Sequence, residues 1–298
     1  MFGVVQFFGF FQISTTLWVT GSFDNPAGFA ACLCAGFPFV GFLLSDSNKY
    51  IRYVGGLIGF VIVIAVILSQ SRAGIMSIAF ICFILLNMKF FHKRWVKYLS
   101  LLCFALLLSG CYWMKKDSAD GRLLIWRCSV SMVKDAPWLG HGIGSFEARY
   151  MDYQADYFRQ YGLNRYSMLA DNVKHPFNEY LGVLLNFGFV GLLMILALIT
   201  LLIYCYKKHP CAEKRIAFYS LISIGVFSFF SYTFTYPFTW IVTFLCIIIL
   251  TKEYIAKVFT CPIIKNTVCI FTLLCSFWGI YNLVKRVMAE KEWGNTSR

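Results

Sequence analysis

The sequence contains few charged residues. Asp, Glu, Lys and Arg together make up 14% of its 298 residues, whereas apolar residues make up 59% and the mean hydropathy is +0.67. A soluble domain cannot bury so large an apolar fraction. The composition therefore excludes an ordinary soluble protein and indicates an integral membrane protein.

Acidic residues are especially scarce, with 14 Asp and Glu against 27 Lys and Arg, which gives a formal net charge of +13. The basic residues cluster in short loops between apolar runs, most densely in KFFHKRWVK (89–97) and KKHPCAEKR (207–215). Weaker clusters are Lys49 with Arg52 and the stretch 252–265. This distribution follows the positive-inside rule for cytoplasmic loops. We therefore expect a membrane, and no nucleic acid, as partner.

Sequence signals for a metal or an organic cofactor are lacking. Most of the 12 cysteines lie within apolar runs, and neither a zinc-type grouping of Cys and His nor a suitable pair of aspartates is present. The glycines of DAPWLGHGIGSF (135–146) are not part of a strand–helix–strand unit, which argues against a nucleotide-binding loop. We interpret them as a tight turn between two surface helices, with His141 in a structural role. No cofactor is expected.

Apolar runs fill most of the chain. Most are about 17–25 residues long, enough for a helix to cross a bilayer core of roughly 30 Å. We predict an all-α fold, a polytopic transmembrane helix bundle of about nine spans with one large, partly helical loop outside the membrane, which the resemblance described below makes periplasmic. The predicted spans lie near 3–20, 27–45, 51–69, 73–90, 97–114, 180–205, 216–235, 238–252 and 266–284. The predicted domains are 1–113 (N-terminal transmembrane helices), 114–178 (loop lobe) and 179–298 (C-terminal transmembrane helices and a charged tail).

The charged loops also predict which segments share a face of the membrane. If the four basic clusters are cytoplasmic, the alternation of spans places residues 21–26, 69–74, 114–178 and 235–238 on the outer face. Every distinctive polar motif of the sequence lies in these segments. Loops as long as 114–178 are usually functional. We therefore expect a site at the outer surface of the membrane.

Two arginines are candidates for binding a substrate anion. SQSRAG (69–74) places Arg72 between two apolar runs, and DGRLLIWR (120–127) places Arg122 in the first turn of a predicted helix, on the same face as Trp126. A guanidinium group presents a planar fork of donors that matches phosphate oxygens. The competing interpretations are that Arg72 extends to the membrane interface and that Arg122 lies on a solvated face. The predicted substrate-binding residues here are Arg72, Arg122 and Trp126.

The segment HPFNEYL (175–181) joins the long loop to an apolar run. Pro176 can begin a helix there, so that Asn178 and Glu179 fall in its first turn. Imidazole titrates near neutral pH, which makes His175 a candidate base for a hydroxyl group, with Glu179 as the alternative base or as its partner. Asn178 is a further candidate for substrate binding. The competing interpretation of His175 is an ordinary hydrogen-bonded loop histidine.

An aromatic stripe precedes this segment. Phe146, Tyr150, Tyr153, Tyr157 and Tyr161 recur at helical spacing and predict one face of a helix. Because tyrosine favours the membrane interface, we expect the stripe to pack there or on the spans. The alternative is a platform on which sugars stack.

In their order along the chain, these motifs resemble the O-antigen ligase and polymerase superfamily, which includes bacterial protein O-oligosaccharyltransferases. The resemblance covers about residues 18–200. It rests on GSFDNP, SRAG, GRLLIW, DAPWLGHGIGSF and HPFNE. The ligase motif H-[NSQ]-x9-G-x-x-[GTY] is matched by Asn178, Gly188 and Gly191, whereas Phe177 occupies its histidine position. His175 matches the earlier histidine of the HPHN form of the motif.

The resemblance implies an inverting, metal-independent glycosyltransferase of the bacterial inner membrane, active at the periplasmic face. Its donor would be a polyprenyl pyrophosphate-linked glycan, and its acceptor lipid A core, a protein or another glycan. Arg72 and Arg122 would hold the pyrophosphate, and His175 with Glu179 would activate the acceptor hydroxyl. Because family members usually have further spans before GSFDNP, the chain is expected to be truncated.

Two other functions are weighed against this one. A transporter or flippase of a lipid-linked glycan would show repeated halves and ionisable residues near the middle of its spans, and the sequence shows neither clearly. A membrane scaffold would tolerate replacement of Arg72, Arg122 and His175. The sequence leaves the identity of the acceptor open.

Overall fold

The computed structural model describes residues 19–258 apart from 22, 24, 90–93 and 115, together with scattered positions between 266 and 289. The described residues contain helices and no β-strand, so the prediction of an all-α fold is confirmed. The helices are α1 (Pro26–Gly36), α2 (Val40–Leu44), α3 (Lys49–Leu68), α4 (Arg72–Lys89), α5 (Arg94–Met114), α6 (Lys116–Asp135), α7 (Ser145–Tyr161), α8 (Glu179–Lys208), α9 (Ala212–Phe230) and α10 (Pro237–Val258). Short 3₁₀ turns occupy Phe37–Phe39, Ser167–Leu169 and Thr233–Thr235. A second compact unit begins at Thr251, and all contacts discussed below lie in the unit that ends at Leu250.

Four helical segments of the described chain are long and apolar enough to cross a membrane. They are Pro26–Leu44, Lys49–Leu68, Glu179–Lys208 and Pro237–Ala256, and Arg72–Met88 is a shorter apolar helix. Helices α5 and α9 occupy the predicted positions 97–114 and 216–235 but are not among these four. Most of the predicted spans 3–20 and 266–284 lies outside the described residues. The chain is thus a membrane protein, and the count of nine spans stays a prediction.

Side chains at the helix starts explain why several helices begin where they do. The Oδ1 atoms of Asn25, Asn48 and Asn178 accept hydrogen bonds from backbone N–H groups in the first turns of α1, α3 and α8. Ser71 Oγ accepts one from the N–H of Gly74 in the first turn of α4. Such caps satisfy amide groups that otherwise have no partner within the helix.

Helices α1, α4 and α9 pack closely through small residues. Ser77 on α4 and Ser223 on α9 share a hydrogen bond of 2.8 Å between their hydroxyl groups, and Ser223 Oγ also donates to the carbonyl of Cys34 on α1. A Cβ atom at Gly74 would lie 3.0 Å from Cβ of Ala30. Small residues and serine hydroxyls are typical of close helix contacts in membranes. This packing fixes the first turn of α4, where Arg72 lies.

Helices α6 and α7 share a hydrophobic core with the first part of α8. Its fully buried members include Leu124 and Met132 of α6, Tyr150 of α7 and Leu185 of α8. The aromatic stripe on α7 is therefore divided. Phe146 and Tyr150 lie in this core, Tyr153 and Tyr157 are half-buried at its edge, and Tyr161 is 61% exposed.

A glycine joint connects the loop between α6 and α7 to α8. The N–H groups of His141 and Gly142 donate to the carbonyls of Leu185 and Asn186, at 2.8 and 3.0 Å. In the opposite direction, the N–H of Phe189 in α8 donates to the carbonyl of Pro137 in the loop at 2.8 Å. The helix is interrupted there, because Gly188 has φ +62° and ψ −159°. The predicted tight turn is confirmed, and it also provides hydrogen bonds to the interrupted backbone of α8.

Replacing Gly188 with Ala is expected to lower the free energy of unfolding by about 2–5 kcal/mol, since this φ,ψ region is open essentially to glycine alone. The added Cβ would also overlap the carbonyl group of Trp138. Thermal unfolding in detergent would measure the loss. The matched control is Gly56→Ala on α3, where the added methyl meets nothing within 4 Å. An equal loss in both variants would contradict the role of the joint.

Candidate functional site

Segments predicted to share the outer face contact one another, the start of α8 and the stretch 230–234 at one end of the helices, although 230–234 was predicted to lie within the span 216–235. Four side-chain hydrogen bonds of 2.7–2.8 Å join residues that are distant in sequence. These are Arg72 Nη2 to Ser118 Oγ, Arg122 Nη1 to the carbonyl of Phe230, Asn25 Nδ2 to Tyr232 Oη, and the N–H of Phe234 to Glu179 Oε1. The start of α1, the α3–α4 connection, α6, the start of α8 and the α9–α10 connection therefore form one polar surface.

Arg72 and Arg122 line the same cavity, which has a volume of about 360 Å³. Trp126 is in its wall, as the shared helix face predicted, and the other lining residues include Leu108 and Phe230. Among the described residues that line the cavity, none is acidic. The cavity thus presents two guanidinium groups within largely apolar walls, and this arrangement suits an anion with several oxygen atoms.

The environment of Arg122 shows how strongly an anion would be favoured. Burial, together with the positive charge of Arg72, lowers the pKa of Arg122 to about 10, and Tyr232 opposes the shift. The guanidinium remains charged at neutral pH. It donates to the carbonyl of Phe230 and lies 5.0 Å from the ring centre of Phe177. Because two like charges share a poorly solvated cavity, a bound anion would relieve both their repulsion and their desolvation.

The turn formed by residues 175–178 is held from several sides. The ring of His175 stacks on Tyr232, with centroids 4.8 Å apart and an interplanar angle of 24°. Phe177 meets the same tyrosine edge-on at 5.3 Å. Trp126 Nε1 donates to the carbonyl of Pro176 at 2.9 Å. These contacts connect the turn to α6 and to the α9–α10 connection. Because Trp126 also lines the arginine cavity, the turn lies beside that cavity.

Strained backbone conformations occur close to both Arg72 and His175. Among the described residues, only two that are not glycine have positive φ, namely Gln70 at +51° and Phe177 at +53°. Gln70 lies two residues before Arg72, and Phe177 lies two residues after His175. Such conformations cost on the order of 1–3 kcal/mol and tend to occur at functional sites. Their positions point independently to Arg72 and His175.

His175 is half-buried, and burial is the main cause that lowers its pKa below the usual histidine value. The neighbouring Lys174 lowers the pKa further, and Glu147 raises it. The imidazole is therefore neutral at physiological pH and can accept a proton. The structure gives His141 a different environment, since its Nε2 contacts the carbonyl of Met132 and its Nδ1 contacts Arg149. Both ring nitrogens of His141 are occupied by structural contacts.

The contacts of Glu179 and Asn178 differ from the expected ones. Glu179 Oε1 accepts from the N–H of Phe234 at 2.8 Å, whereas no hydrogen bond or charge interaction joins it to His175 among the described contacts. Asn178 is buried, and its Oδ1 caps α8. Both residues therefore fix the start of α8 and its neighbouring connection. Trp126 contributes to both parts of the site. Its ring lines the arginine cavity, and its Nε1–H donates to the carbonyl of Pro176.

Sequence reasoning missed Tyr232, which contacts His175, Phe177 and Asn25. A signal for it was present. The stretch SYTFTYP (231–237) contains two tyrosines and two threonines and overlaps the outer-face segment 235–238. It was included in the predicted span 216–235 because Phe229, Phe230 and Phe234 continue the apolar run.

A second, apolar cavity of about 580 Å³ adjoins the arginine cavity. It is enclosed by α4, α5, α8 and α9, and Met76, Leu108 and Phe230 line both spaces. Its other lining residues are almost all aliphatic or aromatic. An apolar chain in this cavity would therefore place its polar end at Arg72 and Arg122.

The fold and this surface define an all-helical membrane protein with a cationic cavity at the end of an apolar one. Residues 57–196, which contain Arg72, Arg122 and His175, match the family model described as O-antigen ligase. This part of the chain is similar to an O-antigen ligase domain, and the resemblance to the O-antigen ligase superfamily is confirmed. The match supports a general function in lipid-linked glycan transfer. Among curated proteins, none matches the chain.

Proposed function

We propose that the protein transfers a glycan from a polyprenyl pyrophosphate carrier to an acceptor hydroxyl at the periplasmic face of the bacterial inner membrane. The observation that carries this proposal is the adjacency of the apolar cavity, the paired arginines and the His175 turn. A polyprenyl chain, a pyrophosphate and a glycan follow one another in the donor in the same order. The proposal assigns 114–178 to a periplasmic lobe between the N-terminal helices (1–113) and the C-terminal helices (179–298) of a bundle of about nine spans.

The arginines are proposed to act on the leaving group. As the glycosidic bond breaks, negative charge grows on the pyrophosphate oxygen that leaves the sugar. Arg72 and Arg122 are held by Ser118 and by the carbonyl of Phe230 before the substrate arrives. Fixed charges of this kind stabilise the transition state more than the ground state.

His175 is proposed to accept the proton of the acceptor hydroxyl while the hydroxyl oxygen attacks the anomeric carbon. Attack from the side opposite the pyrophosphate inverts the anomeric centre. Tyr232 orients the imidazole by stacking, and Glu179 acts as a positioning residue through Phe234. This scheme requires no metal or organic cofactor.

The acid limb of the pH profile of kcat/KM reports this base, because only neutral imidazole accepts the proton. Since burial lowers the pKa of His175, the limb should lie below the ordinary histidine range. Lys174→Gln removes a charge that lowers this pKa, so the limb should move to higher pH. Glu147→Gln removes a charge that raises it, so the limb should move to lower pH. Asp152→Asn, an exposed site on α7, is the control, and shifts of the same sign in both test variants would contradict the assignment of His175 as the base.

The decisive experiment uses vesicles that contain the protein, a polyprenyl pyrophosphate-linked glycan and candidate acceptors. Release of polyprenyl pyrophosphate is measured together with movement of the glycan across the bilayer. Release that requires an acceptor supports transfer, and the acceptor that permits it identifies the reaction as ligation to lipid A core, polymerisation or protein glycosylation. Movement of the glycan without release, by correctly folded protein, would overturn the proposal in favour of a transporter.

A further inference from the structure

A groove between α6 and α7 has a composition different from that of the two cavities described above. It has a volume of about 660 Å³, within the usual range of about 300–1,000 Å³ for ligand sites. One face of each helix lines it at helical spacing. Helix α6 contributes Leu123, Trp126, Arg127, Val130, Ser131, Lys134 and Asp135, and α7 contributes Tyr153, Asp156, Tyr157, Gln160 and Tyr161. We call this space the α6/α7 groove.

The charges of the α6/α7 groove cancel. Arg127 and Lys134 are balanced by Asp135 and Asp156, in contrast to the arginine cavity, whose described lining has no acidic side chain. A phosphate group would find no net positive charge here. Carboxylate, amide and guanidinium groups side by side instead suit a neutral ligand with many hydroxyl groups, which both donate and accept hydrogen bonds.

Aromatic rings line the same groove and remain partly open to solvent. Tyr153 and Tyr157 are half-buried, Tyr161 is 61% exposed, and Tyr157 and Tyr161 lie 4.9 Å apart between ring centres. The buried centre of the α7 packing is formed by Phe146 and Tyr150, which are 5% and 1% exposed, whereas Tyr153 and Tyr157 pack at the edge of this core. The open rings are thus available to the C–H faces of a sugar, which carry partial positive charge and favour the negative face of an aromatic ring.

The groove walls are fixed before a ligand arrives. The hydroxyl of Tyr153 on α7 donates to Asp135 Oδ2 on α6 at 2.5 Å and so joins the two helices. The glycine joint anchors the connection between α6 and α7 to α8. A rigid wall reduces the entropy lost on binding.

The groove begins where the arginine cavity ends, because Leu123 and Trp126 line both. From Trp126 it continues along α6 to Lys134, a distance of roughly 12 Å at the rise of an α-helix. We propose that the α6/α7 groove is a saccharide-binding site that takes the sugars of the donor next to the pyrophosphate. This inference rests on the proposed transferase function for the source of the saccharide, whereas binding of the saccharide itself does not depend on turnover.

The first test measures binding without chemistry. The purified protein in detergent is applied to an array of neutral and acidic oligosaccharides that carry no lipid and no pyrophosphate. The wild type should retain neutral oligosaccharides, and Tyr157→Ala with Tyr161→Ala should weaken retention about tenfold, whereas Tyr157→Phe should keep it because the ring remains. Gln160→Ala, at an exposed position without a packing role, should weaken it as well. Tyr53→Ala on α3, a tyrosine 76% exposed and distant from the groove in sequence, is the matched control.

The second test identifies the source of the sugars. Polyprenyl pyrophosphates that carry one sugar or an oligosaccharide are compared as donors, and KM is measured for donor and acceptor separately. If the inference is right, the tyrosine variant raises KM for the oligosaccharide donor more than for the single-sugar donor. A rise confined to the acceptor KM would overturn the assignment to the donor, and array binding unaffected by the groove variants would overturn the groove itself. If the wild type binds oligosaccharides but never releases polyprenyl pyrophosphate, the proposed function fails while the saccharide site stands.

Discussion

Arg122→Ala is expected to lower kcat/KM for polyprenyl pyrophosphate release by about 10²–10³-fold, the usual cost of removing one fixed donor from a developing anion. The effect should be this large because Arg122 is largely buried, next to apolar walls and the ring of Phe177. Arg72→Ala should act in the same direction. The double variant should lose less than the product of the two single losses, since both groups bind the same anion.

Two further variants separate the geometry of Arg122 from its charge. Arg122→Lys keeps the positive charge but lacks the planar fork, so it should recover only part of the activity. Arg52→Ala, at an exposed position on α3, should leave turnover unchanged. Equal turnover in Arg122→Ala and the wild type would sink the assignment of the pyrophosphate to this cavity and would be compatible with a scaffold.

His175→Ala is expected to reduce kcat by about 10²–10⁴-fold, the usual contribution of general base catalysis. The KM for the donor should change little, because the imidazole acts on the acceptor and the arginines hold the pyrophosphate. The acid limb of the pH profile should disappear with the base. Single-turnover measurement of polyprenyl pyrophosphate release would distinguish a slower chemical step from weaker binding.

His141 provides an internal comparison for this prediction. Its ring contacts Met132 and Arg149, so His141→Gln should lower the thermal midpoint without removing the acid limb. His175→Ala should lower activity with little change in the midpoint, because the described contact of its ring is the stack on Tyr232. If the two variants behaved in the reverse way, the roles of the two histidines would have to be exchanged.

The sequence predicted the parts of the fold that depend on neighbouring residues. Runs of apolar residues gave the positions of α3, α4, α8 and α10 to within a few residues at most ends. The prediction that Pro176 begins α8 was wrong, because α8 begins at Glu179 and Asn178 caps it from outside the helix. The face shared by Arg122 and Trp126 followed from helical spacing alone. Periodicity is a local property, so one sequence is enough to reveal it.

Contacts between distant segments were harder to predict. Loop charge indicated a common face, but it did not predict that Tyr232 would stack on His175 or that Glu179 would turn towards Phe234. Both outcomes depend on how the α9–α10 connection packs against the start of α8. A carboxylate that is close to a histidine in sequence can bind several other groups at a similar distance. The resemblance supplied the position of Gly188, whereas its positive φ and its contact with the loop after α6 required the three-dimensional fold.

The glycine joint in α8 shows what depends on the number of residues between Asn178 and Gly188. The segment between them is a short helical rod whose two ends are attached separately, one to the turn that carries His175 and the other to the loop that contains His141. Adding one residue to this rod would rotate one end against the other by about 100° and lengthen it by about 1.5 Å. The imidazole would then leave the side of the molecule where the arginines lie. The interval of nine residues therefore determines both the position of His175 along the axis of α8 and its orientation around that axis.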